Sequence, residues 1–337
     1  MVPTHNLSPL KPFSMNPFNQ RRWLSSVLLI LCALTAIANA SGPPVLALVF
    51  TPDGDSVVAA SQSGVHVFSW PDLIRQRTIK ASALNLHCLV FSPDGKKLAV
   101  GGGYPSESGI LEVFTWPTGT RVARFTEHND TIRSVAWLDD NKLLTASVDR
   151  DIKLWDLDEK ASILTLKGHS RGVNTLCLLD NGKTLVSAGT DHSLRVWNLE
   201  SGTLIRSIIQ HTKPVHALAV RPAESGLPMV ASCAEDRTIR FWQPTIGRML
   251  RYVRLESEPQ NIAWTDDGAR VLAVCVDGQV RVIDPVELTV TQVLPAIDGW
   301  AYVIAVNPDD QSVALGGSNG QIMILEIPEE KEPRTIP

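Results

Sequence analysis

The chain has 337 residues, 44% of them hydrophobic, and 31 basic against 35 acidic side chains give a formal net charge of −4. That length and apolar content can fill a sizeable core. The mild acidity, with no Lys/Arg run beyond the first 40 residues, argues against a nucleic-acid binder.

The first 40 residues stand apart. Arg21 and Arg22 precede an uncharged stretch from Trp23 to Ala40, centred on Val27-Leu28-Leu29-Ile30-Leu31 and closing in Ala38-Asn39-Ala40. A basic pair, an apolar segment and a small-x-small site predict a secretory signal peptide over 1–40, and hence an exported protein, periplasmic or secreted. An uncleaved anchor is the alternative, because the 18 uncharged residues approach the roughly 20 that span a bilayer. Membrane association is expected only in that case. Cleavage would remove Lys11, Arg21 and Arg22 and no acid, leaving 28 basic against 35 acidic residues.

From Val45 onward one unit recurs seven times: a hydrophobic strand, a turn, a second strand, a third strand ending in a large apolar residue, and a variable fourth. The third-strand anchors are Phe68, Phe114, Trp155, Trp197, Trp242, Ile283 and Leu325, spaced 46, 41, 42, 45, 41 and 42 residues apart. This is the period of a four-stranded propeller blade. The first strands end at Phe50, Phe91, Trp137, Leu178, Val220, Trp264 and Val306. Turns follow at once, as in Thr51-Pro52-Asp53-Gly54, Ser92-Pro93-Asp94-Gly95, Leu179-Asp180-Asn181-Gly182 and Thr265-Asp266-Asp267-Gly268, with glycine supplying positive φ. Alternation in Ile152-Lys153-Leu154-Trp155 and Leu194-Arg195-Val196-Trp197 predicts one sheet face buried against the next blade. The expected fold is therefore all-β: a seven-bladed β-propeller of four-stranded antiparallel blades over 41–330, forming one monomeric domain. A tail at 331–337 is the candidate for the last blade's outer strand, because only four residues precede the first strand after a cleavage at Ala40.

Three central repeats carry four polar types at fixed offsets. The sets are His128, Thr145, Asp149 and Trp155; His169, Ser187, Asp191 and Trp197; and His211, Ser232, Asp236 and Trp242. In each, Asp stands six before Trp and Ser or Thr four before Asp. Together with Trp155-Asp156 and Gly168-His169, this pattern resembles the WD40-repeat family. The resemblance implies a buried hydrogen-bond chain from Trp through Ser/Thr and His to Asp. A catalytic triad would use the same residue types, but three copies at one spacing mark architecture rather than a single reaction centre. Blades one, two, six and seven lack the full set and are expected to rely on hydrophobic packing, which makes the flanking blades the weaker ones.

Four cysteines follow residue 40: Cys88, Cys177, Cys233 and Cys275. None forms a Cys-x-x-Cys pair. Cys233 and Cys275 lie in neighbouring blades but on opposite strand faces by alternation, so all four are expected as unpaired core thiols.

The resemblance implies binding on the face where loops gather around the channel. The residue after the inward first-strand position is Leu46, His87, Arg133, Asn174, His216, Gln260 and Tyr302 in blade order. Arg171, Lys213 and Trp300 fall in adjoining loops. Arg and aromatic side chains are common interface anchors; a merely solvated ring is the plainer alternative. In blade two Phe114 stands 23 positions after Phe91, against 18 from Phe50 to Phe68 in blade one. The excess around Gly101-Gly102-Gly103-Tyr104 predicts a raised loop presenting Tyr104 beside the channel. No Lys-Ser/Thr follows the glycines, so no phosphate loop is read there. A metal shared by His87 and His216 is disfavoured because blades two and five lie nearly opposite, and no better His/Asp/Glu spacing stands out.

These residues predict a non-catalytic scaffold for a protein or peptide partner, with no cofactor, metal or nucleic acid. The rival is a lactonase-like propeller hydrolase with a channel-mouth site, which the acid-free ring disfavours.

Overall fold

The computed structural model describes residues 42–179, 182–222, 228–308 and 312–328. The expected leader at 1–40, the tail at 331–337, Asp180-Asn181 of the fourth blade's turn and residues 223–227 of the fifth blade lie outside these residues. Seven antiparallel sheets follow one another in sequence order, six of four strands and the last, among the described residues, of three. Their first strands are Ala47–Phe50, Asn85–Phe91, Ile132–Trp137, Val173–Leu179, Val215–Val220, Pro259–Trp264 and Ala301–Val306. Each packs beside the first strand of the next blade, and Ala301–Val306 packs beside Ala47–Phe50 to complete the ring.

The core comprises seven apolar layers, one between each pair of neighbouring blades. Strand alternation feeds two layers at once: Val58 and Ala60 face blade two, while Val57 and Ala59 face blade seven. Both faces of a blade are therefore buried, and second strands such as Thr184–Gly189 and Val230–Ala234 are buried throughout. This corrects the expectation of one buried face. A ring leaves no free sheet face, so the second strands read as continuous apolar and small-residue runs. The third-strand anchors all point to the preceding blade, from Phe68 against blade seven to Trp242 against blade four.

The same geometry corrects the reading of the cysteines. Cys233 and Cys275 do lie on opposite faces of their own sheets, but those faces meet, and both thiols sit in the layer between blades five and six. All four described cysteines are free thiols. Burial raises each pKa, to about 11 for Cys275 and about 12 for Cys88 and Cys177.

The Ser/Thr residue opening the turn contributes as much as its proline or glycine. Thr51, Ser92 and Thr265 donate their hydroxyls to Asp53, Asp94 and Asp267 at 2.5–2.6 Å, while Gly54, Gly95 and Gly268 hold φ between 63° and 76°. In blade two the extra residues are absorbed by a long hairpin, Lys97–Tyr104 with Ser108–Thr115, paired to its tip at Tyr104 and Ser108. A side chain on Gly102 would collide with the Asn85 carbonyl of the adjoining strand. The glycine run thus permits close backbone approach rather than forming a loop.

Candidate binding face at the channel mouth

The three tetrads form complete hydrogen-bond chains. Trp155, Trp197 and Trp242 donate their indole N–H to Thr145, Ser187 and Ser232, each at 2.8 Å. Those hydroxyls lie 2.7–2.8 Å from Nε2 of His128, His169 and His211. The imidazole Nδ1 then meets Asp149, Asp191 and Asp236 at 2.8–2.9 Å. Because the carboxylate can only accept, the imidazole proton sits on Nδ1, and the hydroxyl, which accepts from the indole, donates its O–H to the bare Nε2. Each aspartate also accepts backbone N–H groups of its own turn and of the loop entering the blade, as Asp191 does from Ser193 and Ser170. Burial is the largest single influence on Asp149 and opposes its ionisation, but the interaction with His128 and the backbone N–H groups of Asp151 and Asn129 together outweigh it and hold the carboxyl down to about 2. All three hydroxyls are fully buried, so no substrate reaches them as nucleophiles.

Apolar layers pack the flanking blades as expected, and three of the four add polar devices of another kind. In blade one, His66 bridges Ser63 and Thr78 at 2.8 and 3.1 Å. In blade two, the buried Glu112 receives Arg121 at 2.7 Å and the Ser82 backbone N–H at 2.6 Å. In blade six, Arg281, 4% exposed, makes a bidentate pair with Asp277 at 2.7 and 3.1 Å. These use different residue types at different offsets, so a search for the central pattern passes over them.

The seven ring residues line one channel-mouth cavity of about 410 Å³. In blades two to seven each is the extra residue of a β-bulge: the pairing register skips His87, Arg133, Asn174, His216, Gln260 and Tyr302. An extra residue leaves the ladder and re-aims its side chain, here toward the channel. Arg133 donates to His87 Nδ1 at 3.1 Å, which puts the imidazole proton on Nε2. Burial, reinforced by the Arg133 charge, lowers the His87 pKa to about 4. Desolvation by the surrounding walls also lowers that of Arg133, though the side chain stays open to the channel. Asn174 donates to the Val215 carbonyl at 2.8 Å, fixing its amide across to blade five.

An acid does stand beside this ring, contrary to the sequence-based expectation. Glu258, from the loop entering blade six, lies 3.2 Å from His216 Nε2 and accepts from Gln260 Nε2 at 2.8 Å. Glu258 precedes the ring position by two residues and was hidden by an alignment that followed the ring alone.

Trp300, 53% exposed, meets Tyr302 edge-on with ring centroids 6.0 Å apart. Its backbone is fixed, N–H to the Ser318 hydroxyl and carbonyl to the Ser318 N–H. Arg171 and Lys213 are exposed in the loops entering blades four and five. Tyr104 lies apart from the cavity: half-buried, it packs against the layer between blades one and two and points its hydroxyl to the Ser82 carbonyl at 3.4 Å. Trp70 and Trp116 pack edge-on against Phe50 and Phe91 at 4.7 and 5.0 Å, anchoring first-strand ends.

Comparison with known proteins bears on the same blades. The model of the WD domain, G-beta repeat, matches residues 119–156, 160–198 and 202–243, the units ending in the three tetrads. WD repeat-containing protein 1 of Rattus norvegicus is 30% identical over 316 residues, covering 77% of this chain and 50% of the relative. The U3 small nucleolar RNA-associated protein 15 homolog of Xenopus laevis is 24% identical over 285 residues, covering 82% and 53%. The chain thus spans about half the length of these curated relatives. With its seven closed blades, its tetrads and these matches, the chain belongs to the WD40-repeat family.

Proposed function

We propose that this propeller is a non-catalytic scaffold that takes a protein or peptide partner on its channel face. WD-repeat propellers typically serve as protein-interaction scaffolds. The observation that carries the reading is the convergence of the bulged ring residues on one cavity, with the aromatic corner of Trp300 and Tyr302 at its rim. Arg133 offers a guanidinium with no carboxylate within ion-pair distance among the described residues, and Trp300 offers a fixed, half-exposed indole. Such groups supply much of the energy of protein interfaces. Arg171 and Lys213 add positive charge on the flank, which favours an acidic partner segment.

The test compares proteins retained by the wild type with those retained by an Arg133→Ala, Trp300→Ala double variant of equal thermal stability. Loss of specific partners is expected; identical partner sets would refute the channel face as the docking surface. Export of the protein is part of the same proposal and rests on residues 1–40. N-terminal sequencing of the mature chain should begin at Ser41, and a chain starting at Met1 or Met15 would exclude cleavage.

A further inference from the structure

We infer that the notch between blades five and six is a site for a divalent transition-metal ion of the zinc class, held by His216, Glu235 and Glu258. One ligand atom from each of these side chains lies within 4.8 Å of the others. They come from three backbone segments: the bulge of a first strand, the turn after the second strand of the same blade, and the loop entering the next blade. His216 Nε2 and Glu258 Oε1 are 3.2 Å apart. Two ligands at about 2.0–2.1 Å from one tetrahedral ion are separated by roughly 3.3 Å, so this pair already has the spacing a zinc ion imposes. Glu235, with a carboxylate oxygen within 4.8 Å of both, is the third ligand.

The repeat supplies an internal control. A backbone hydrogen bond marks equivalent positions at successive notches: Val148 N–H to the Thr131 carbonyl, Thr190 to Gly172, Glu235 to Pro214 and Val276 to Glu258, at 2.8–3.0 Å. The positions corresponding to His216, Glu235 and Glu258 are Arg133, Val148 and Gly172 two blades earlier, and Asn174, Thr190 and Pro214 one blade earlier. On the other side they are Gln260, Val276 and Trp300. Of these four notches, only the one between blades five and six carries metal-ligating types at all three positions, so the blade architecture does not itself require them.

Charge and orientation point the same way. Two carboxylates held this close repel, and among the described residues no Lys or Arg lies within 4.0 Å of either; His216 is the ion-pairing neighbour of Glu258. A dication would neutralise both. Gln260, by donating to Glu258 Oε1 at 2.8 Å, orients that carboxylate as outer-sphere groups do around metal ligands. One imidazole and two carboxylates form a mixed nitrogen and oxygen set that suits zinc better than calcium or magnesium, which favour all-oxygen shells. Water would fill the remaining position.

The experiment is calorimetric titration of chelator-treated full-length protein with Zn²⁺, supported by the visible spectrum of the Co²⁺-substituted protein. One Zn²⁺ per chain is expected, with low-symmetry Co²⁺ d–d bands. Gln260→Ala should weaken binding by about 10–100-fold, and Glu258→Gln and His216→Ala by at least as much. Circular dichroism checks that each variant is folded, and the near-isosteric Glu258→Gln decides the matter if His216→Ala is not. Zn²⁺ binding that survives unchanged in Glu258→Gln, tighter binding of Ca²⁺ than of Zn²⁺, or no saturable binding at all would overturn the assignment. None of these outcomes depends on the partner-binding proposal.

Discussion

At the scale of single residues, the tetrads show how one hydroxyl organises three neighbours. Ser187 accepts from Trp197 and donates to His169, whose other nitrogen is then committed to Asp191. Asp191→Ala should leave the buried His169 N–H without its acceptor and lower stability by about 1–3 kcal/mol, read as a lower melting temperature; a folded variant of unchanged melting temperature would contradict the structural role. His87 gives a pH signature. Its pKa is about 4 in the folded chain against 6.5 when unperturbed, so between these values the unfolded chain binds the extra proton and stability rises with pH. Stability should therefore be lost as pH falls from 6.5 to 4, with no further change from this group below 4. His87→Gln should flatten the melting-temperature profile across that window. His128, Thr145, Asp149 and Trp155 were legible in the sequence because a repeated offset betrays a hydrogen-bond chain. Glu258 was not, since it meets His216 across a blade boundary where no repeat links them.

At the scale of the blade, a four-stranded sheet buried on both faces must find partners for most of the polar groups it encloses, and the chain does so in several ways. The tetrad serves blades three to five. Asp277 and Arg281 serve blade six through a single bidentate pair. Asp277→Ala would strand the buried Arg281 guanidinium and should cost about 3 kcal/mol, the lower end for breaking a buried pair, because Asp277 is itself one-third exposed. Denaturant unfolding of this variant beside Asp191→Ala would rank the two devices; a near-neutral Asp277→Ala would show blade six held by apolar packing alone. The glycine run of blade two illustrates what spacing cannot convey. An insertion of known length between Phe91 and Phe114 was readable, but whether it bulges as a loop or extends a hairpin depends on the Asn85 carbonyl that Gly102 admits. That contact joins residues of different strands and leaves no local trace.

For the whole molecule, seven layers joined in a ring make stability a property of closure as much as of any blade. Blades one and seven meet through the apolar layer around Val45, Leu48, Val303 and Ile322. The approaching chain adds backbone bonds from Gly42 to Asn319 and from Val45 to Gly317, at 3.3 and 3.1 Å. Local opening begins where the fewest contacts must break, so a seam held among the described residues by one apolar layer and these backbone bonds is expected to open first. Val45→Asp should raise hydrogen exchange in blades one and seven while leaving the amides of blades three to five protected; uniform acceleration around the ring would show that the seam is not the weak point. The bulges at the channel mouth have a consequence of a different sort. A residue that belongs to no ladder pair takes no part in register, so its identity is released from the strand-pairing code even where, as at Asn174 and His87, its side chain makes a local bond. The propeller therefore presents a circular field of exchangeable letters on an invariant frame. Mutational drift can rewrite what the mouth recognises, one letter at a time, without passing through an unfolded ancestor.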